Sequence, residues 1–111
     1  MLYFFQRKEA DSVRLEGKVF AGGIVRAMAV AEDRDESRRF VSRLEECLRS
    51  LCRELAIPIP IWMKKNTGEF ARFHQTVFVD EQFHEPVAFD RFMIRLLPED
   101  RGTEQENSKS Y

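Results

Sequence analysis

Apolar residues recur at steps of three and four between positions 40 and 55, and this is the clearest pattern in the chain. At about 100° per residue, such spacing gathers side chains on one stripe of a helix. The stripe consists of Phe40, Val41, Leu44, Cys47, Leu48, Leu51, Cys52 and Leu55. We therefore predict a long amphipathic helix that begins at a cap formed by Asp33 with Glu36, or by Asp35, and ends before Pro58.

Alternation of apolar and polar residues predicts strands on both sides of this helix. The alternating apolar positions are Val13, Leu15 and Val19 before the helix and Phe92, Ile94 and Leu96 near the end of the chain. Aromatic residues followed by charges predict a further strand over 2–8, and alternation over 59–63 predicts a short one. We expect the short strand at a sheet edge, because Pro60 cannot donate a ladder hydrogen bond.

Two glycines separate the first alternating strand from the apolar run that follows it. Ala21-Gly22-Gly23 tolerates positive φ, so the run from Ile24 to Ala31 is predicted as the second strand of a hairpin. The alternative is an early helix start, because residues 27–29 (Ala-Met-Ala) favour helices.

The segment over 66–79 also allows two interpretations. Asn66-Thr67-Gly68-Glu69 has the form of a helix capping box, and apolar residues follow at helical spacing. This pattern predicts a short helix over about 67–76. The alternative is a strand over 73–79.

The order of these elements predicts an α+β domain over residues 1–97. The sheet is expected to be antiparallel or mixed with four to five strands, because an amphipathic helix needs a sheet face to cover. The long helix and a possible second short helix would pack on one face of it. Residues 98–111 contain almost no apolar side chains, which predicts a disordered polar C-terminal tail.

Composition narrows the classes of function. The chain has 111 residues, 33 % charged, with a formal net charge of −1, so nucleic acid is not an expected partner, since such binding rests on excess positive charge. No segment has the length or order of a signal peptide or membrane span, which predicts a cytoplasmic protein that does not bind membranes. Cys47 and Cys52 are too few for a disulfide framework and are expected to be buried.

Phenylalanine is unusually abundant, with 10 residues in the chain. Six lie between positions 70 and 92, namely Phe70, Phe73, Phe78, Phe83, Phe89 and Phe92. Large rings readily fill a core, but a small domain has difficulty hiding so many. We therefore predict that some of them form the interface of a homodimer.

A basic stretch provides the alternative function, binding of a small anion or nucleotide. A helix that begins near Thr67 would present free backbone N–H groups beside two lysines, an arrangement that favours phosphate or carboxylate. The predicted ligand-binding residues are Lys64, Lys65, Thr67, Gly68, Arg72 and His74.

A third hypothesis is a metal- or histidine-dependent enzyme. His74 and His84 lie near acidic residues of the segment 80–85, but their spacing matches no compact metal-binding motif. The segment 17–23 begins like a phosphate-binding loop but lacks the Lys-Ser/Thr pair that contacts phosphate and magnesium. We assign no catalytic residue, metal or cofactor, and the sequence favours a self-associating binding or assembly module without catalytic activity.

Overall fold

The computed structural model describes residues 12–98. Along the chain its elements are β1 (Val13–Ala21), β2 (Ile24–Asp33), α1 (Phe40–Leu55), α2 (Lys64–Phe73), β3 (Gln75–Val79), a 3₁₀ turn (Asp80–Gln82) and β4 (Arg91–Leu96). All strand pairs are antiparallel, and the four-stranded sheet has the order β2-β1-β4-β3. The α+β fold predicted from the sequence is therefore confirmed. The strand predicted over 2–8 and the polar tail beyond Pro98 lie outside the described residues.

The hairpin prediction is correct. Gly22 and Gly23 join β1 to β2 with φ of 64° and 77°, values that glycine adopts without steric cost. The pairing of the two strands shifts register between Val19 and Phe20, and beyond this bulge β2 continues in register to Asp33. A ten-residue strand results at the edge of the sheet.

Both helices cover the same face of the sheet. The apolar side chains of β1 and β4 on this face meet the stripe of α1, and together they form the core. α1 runs in the same direction as β1, because the Cys47 thiol donates to the Val13 carbonyl oxygen at 3.5 Å while Leu51 lies above Gly17. A Cβ on Gly17 would be 3.0 Å from the ring of Phe92 and 3.1 Å from Leu51, so a larger residue there would force these side chains to shift.

α1 does not begin at the predicted caps. It starts at Phe40, and its N-cap residue Arg39 makes no side-chain capping bond. Asp33 instead accepts hydrogen bonds from Arg38 at 2.7 Å and from the buried Arg43 at 3.3 Å, and this ties the end of β2 to the first turns of α1. The helix ends at Leu55, where the next residue, Ala56, is left-handed with φ of 58°.

The strand predicted over 59–63 is wrong. Residues 57–63 form an irregular connection, in which two prolines exclude a regular ladder. The connection is attached through Gln82: Ile61 N–H donates to the Gln82 carbonyl at 2.7 Å, and Gln82 Nε2 donates to the Ile61 carbonyl at 3.1 Å.

The two interpretations of the segment over 66–79 are each correct for part of it. α2 begins at Lys64, three residues earlier than predicted, and ends at Phe73. His74 then adopts a left-handed conformation with φ of 61°, which stops the helix, and β3 begins at Gln75. Asn66 lies inside the helix, where its side-chain oxygen accepts the Met63 N–H at 2.9 Å.

Candidate interaction surfaces

Most of the predicted interface phenylalanines lie inside a single chain. Phe70, Phe78, Phe83 and Phe92 are at most 7 % exposed. Phe78 and Phe92 stack with ring centroids 5.9 Å apart, and Phe83 meets the partly buried Phe89 edge to face. Phe73 is 61 % exposed. A homodimer interface through this set stays a prediction, and of its members Phe73 is the one already available on the surface.

The predicted anion-binding residues lie along the whole of α2. Lys64 and Lys65 are in its first turn, whereas Arg72 is eight residues beyond Lys64, which corresponds to about 12 Å along the axis. Lys65, Gly68 and Arg72 line one shallow depression that also contains Glu69. The Glu69 carboxylate already accepts a hydrogen bond from the Thr76 hydroxyl at 2.5 Å.

The other three members of that set, Lys64, Thr67 and His74, do not line the depression. The Thr67 hydroxyl accepts a hydrogen bond from Trp62 Nε1 at 2.8 Å, and Thr67 lines a different groove. His74 is the C-cap of α2, where its carbonyl accepts the Leu96 N–H. The six residues therefore do not converge on one point, and anion binding stays a prediction.

Within the described range, the histidines and cysteines form neither a metal-binding site nor a reactive-thiol site. His74 precedes β3 and His84 follows it, so they lie at opposite ends of that strand. Across residues 12–98, no group of three or more His, Cys, Asp or Glu side chains is placed to hold a metal ion. Burial raises the pKa of Cys47 to about 12 and that of Cys52 to about 11, so both thiols stay protonated at neutral pH and pack as apolar groups.

Side chains block the outer edge of β3. Asn66 Nδ2 donates to the Val77 carbonyl at 3.2 Å, and the Val79 N–H donates to Gln82 Oε1 at 3.1 Å. These two amides also bond to each other at 2.9 Å, and Asn66 donates to the Thr76 hydroxyl at 2.8 Å. The Val77 carbonyl and the Val79 N–H, which would otherwise be available to another strand, are therefore already occupied.

In the described part of the chain, the outer edge of β2 has no such cover. Within residues 12–98, no loop or side-chain hydrogen bond reaches the backbone of this edge between Ile24 and Glu32. The Arg26 side chain donates instead to the Ala21 carbonyl of β1, at 3.3 Å. The exposed side chains are large and apolar: Ile24 56 %, Val25 44 %, Met28 57 % and Val30 48 %. A long, apolar strand with unpaired backbone groups is a surface that readily pairs with another strand.

The sheet face opposite the helices continues the apolar surface of β2. The register places Lys18 of β1 between Met28 of β2 and Met93 of β4. The Arg91 guanidinium lies 4.5 Å from the ring centroid of Phe20. This face therefore mixes apolar and basic side chains, and no helix in the described range packs on it.

A groove separates the two helices on the other face. It has a volume of about 180 Å³ and is lined by Val41, Leu44, Glu45, Leu48, Trp62, Thr67 and Phe70. The indole ring of Trp62 forms one wall, where it packs edge to face on Phe70 at 6.0 Å and on Phe78 at 5.6 Å. Apart from Glu45 and the bonded Thr67 hydroxyl, the lining is apolar.

Comparisons of the chain with protein-family models, with curated proteins and with solved structures find no match. Among the described residues, no helix is long and apolar enough to cross a membrane. The candidate surfaces therefore rest on geometry alone.

Neither the β2 edge nor the groove was predicted as a site from the sequence. For β2 the signal is present, because apart from Arg26 the run from Ile24 to Ala31 is apolar at both odd and even positions. This is unusual for a strand with one face on a core. Alanines occupy the positions of β2 that face α1, and Met28 and Val30 occupy positions on the opposite face of the sheet. The groove has no comparable signal, since its walls come from three separate segments.

Proposed function

We propose that this protein is a non-catalytic self-association module whose two copies join through the outer edge of β2. The observation that carries the proposal is the contrast between the two sheet edges. β2 is ten residues long, apolar and uncovered among residues 12–98, while β3 is five residues long and blocked by Asn66 and Gln82. Free edges of this kind pair with another strand.

One open edge gives a closed dimer. Two copies of β2 related by a two-fold axis pair antiparallel, each using the same surface. The blocked β3 edges then lie at the two ends of a continuous eight-stranded sheet, so the assembly does not extend into a filament. If the axis passes near Ala29, Met28 of one copy lies beside Val30 of the other, and apolar side chains meet on the uncovered face.

A charge placed on this edge tests the proposal. We expect the unmodified protein to be a dimer at micromolar concentration and Met28→Lys to be a monomer, because an edge lysine opposes strand pairing. The matched control is Ala88→Lys, which adds the same charge at an exposed loop position. The measurement is light scattering coupled to size-exclusion chromatography, over a range of protein concentrations.

The outcomes separate clearly. A monomeric unmodified protein at these concentrations, or a Met28→Lys variant that remains dimeric, would contradict the proposal.

A cytoplasmic location stays a prediction, and it fits the free thiols of Cys47 and Cys52, since reducing compartments keep thiols unpaired.

A further inference from the structure

The sheet face opposite the helices, which we call the open face, is largely apolar. In β1 and β4, buried residues alternate with more exposed ones, and the more exposed set points away from α1 and α2. Contiguous apolar surface bordered by polar groups is typical of an interaction site. Six apolar side chains lie in register on the open face across the four strands: Val25, Met28, Val30, Val77, Val79 and Met93.

The carboxylates that the four strands place on the open face are already paired. Glu16 accepts a hydrogen bond from Arg95 at 3.4 Å, and Glu32 forms an ion pair with Arg34 at 3.0 Å. The carboxylate of Asp90, which precedes β4, accepts the Gly22 N–H at 2.7 Å. These acids therefore do not neutralise the other basic side chains of the open face.

Two basic side chains of the open face have no carboxylate partner among the described residues. Lys18 stands between Met28 and Met93, and the Arg91 guanidinium lies 4.5 Å from the ring centroid of Phe20. A partner that covered these charges with apolar groups alone would bury them without compensation, at a large cost. A complementary partner therefore supplies carboxylates as well as apolar side chains.

The spacing of the two charges suits successive turns of a helix. Lys18 is paired with Met93, and Arg91 lies two positions from Met93 on β4, so Lys18 and Arg91 are diagonal neighbours about 7–8 Å apart. Side chains four residues apart on a helix lie about 5–6 Å apart. The long lysine and arginine side chains can close this difference, so two such carboxylates can reach both charges.

The apolar side chains of the open face favour a peptide over a nucleic acid. Phosphates would also suit two basic groups, but the bases of a single strand stack on aromatic rings. Phe20 is the one aromatic residue that the described strands place on the open face, and Arg91 already covers its ring. Valines and methionines instead match the apolar side of an amphipathic helix.

We propose that the open face binds an acidic amphipathic helix of a partner protein, whose carboxylates, four residues apart, pair with Lys18 and Arg91. The sheet then has helices on both faces, one of the stable layered arrangements. The proposal does not depend on the dimer, because Lys18 and Arg91 lie on the inner strands β1 and β4. Oligomeric state tests the dimer, whereas peptide binding tests the open face.

A designed peptide provides the probe, with leucines along one side of a helix, glutamates four residues apart at its borders and a fluorescein label. We expect saturable binding by fluorescence anisotropy. Binding to Lys18→Glu/Arg91→Glu should be weaker by about tenfold or more, because like charges then face each other. The matched control is Lys64→Glu/Lys65→Glu, which reverses two exposed charges on α2 and should bind as the unmodified protein does.

A second double variant guards against loss of folding. Lys18→Gln/Arg91→Gln removes both charges without introducing repulsion, so it should weaken binding by a smaller factor than the reversal. Circular dichroism establishes that each variant is folded. Unchanged affinity in the folded neutral variant, or an equal loss in the Lys64/Lys65 control, would overturn the proposal.

Nuclear magnetic resonance of ¹⁵N-labelled protein locates the peptide. We expect amide shifts to change around Lys18 and Arg91, while the indole signal of Trp62 stays constant, because Trp62 lies in the groove on the other side of the sheet. Shifts confined to that groove, absence of binding, or equal binding of the same peptide with lysines in place of glutamates would contradict the proposal. Tighter binding of a labelled oligothymidine would assign the open face to single-stranded nucleic acid and would overturn it as well.

Discussion

The two edge strands of this sheet differ in how the backbone groups on their outer edges are hydrogen-bonded. At the β3 edge, two buried amides bond to each other and to the backbone of the strand. At the β2 edge, the strand presents Met28 and Val30 to solvent, and its outer backbone groups have no partner among residues 12–98. In the described residues, one edge is thus protected by neutral hydrogen bonds, and the other has no such protection.

The strands are also anchored by different chemistry. β3 is attached through Asn66 and Gln82, which carry no charge. β2 is attached at its end by Asp33, which pairs with Arg38 and the buried Arg43. Neutral hydrogen bonds are insensitive to pH, whereas an ion pair is lost when its carboxylate is protonated, so the two attachments respond differently to the same perturbation.

Removal of the amide at the β3 edge should have the largest effect. Asn66→Leu removes the side-chain partner of the Met63 N–H and of the Val77 carbonyl and one of the two hydrogen bonds donated by Gln82 Nε2. We expect a loss of about 3 kcal/mol in unfolding free energy, since buried unsatisfied groups cost about 1–3 kcal/mol each. Urea denaturation followed by circular dichroism measures it. Lys65→Leu, exposed on the same helix, is the control and should change stability by less than about 0.5 kcal/mol. Equal effects from the two variants would contradict the structural role of Asn66.

Neutralising the charged attachment of β2 should have the next largest effect. Burial by itself would raise the pKa of Asp33, but hydrogen bonds from the Asp35 N–H, Arg38 and Arg43 outweigh it and lower the pKa below its ordinary value of 3.8. We expect Asp33→Asn to cost about 2 kcal/mol at neutral pH, since hydrogen bonds to charged groups contribute about 1.5–3 kcal/mol.

The pH dependence of the unfolding free energy tests the same ion pair. Because folding lowers the pKa of Asp33, its stabilisation is complete above 3.8 and is lost as the pH falls through the lower value of the folded state. Unfolding free energies measured from pH 7 downwards should therefore differ by a constant amount above pH 3.8, and should approach each other below it, for the unmodified protein and Asp33→Asn. Asp80→Asn, at an exposed position, is the control. A constant difference across the range would refute the role of the ion pair.

Amide hydrogen exchange should distinguish the edges without any mutation. We expect exchange in β2 to slow as protein concentration rises, because dimer formation protects its outer N–H groups. Exchange at Val79, whose N–H already donates to Gln82, should not change with concentration. The reverse pattern, with protection gained in β3, would move the interface to the other side of the molecule.

The smallest effect is expected at Phe73. This ring is 61 % exposed and stacks loosely with Arg72 at 5.8 Å, so Phe73→Ser should change stability by less than about 0.5 kcal/mol and leave the β2-mediated dimer intact. Phe89→Ser, at a partly buried ring of the same set, is the comparison and should cost more. Loss of the dimer in Phe73→Ser would restore the interface predicted from the phenylalanine cluster.

The elements that follow from local periodicity were predictable. The stripe of α1, the alternation in β1 and β4 and the glycine turn of the hairpin each depend on residues close in sequence. The strand predicted over 59–63 failed because Pro58 and Pro60 together exclude a regular ladder, even at the sheet edge to which the prediction assigned it. The caps of α1 failed because Asp33 is used by Arg38 and Arg43 instead.

The sequence by itself determined the α+β class, the long amphipathic helix and the alternation of apolar and polar side chains along β1 and β4. It could do so because hydrophobic periodicity is a local property of the chain. Tertiary structure decided which strands became edges, which edge was blocked and where the phenylalanines went. Those outcomes depend on pairs such as Asn66 with Gln82 and Trp62 with Phe78. Such residues are separated along the chain and meet only when the backbone closes, so no periodic pattern records them.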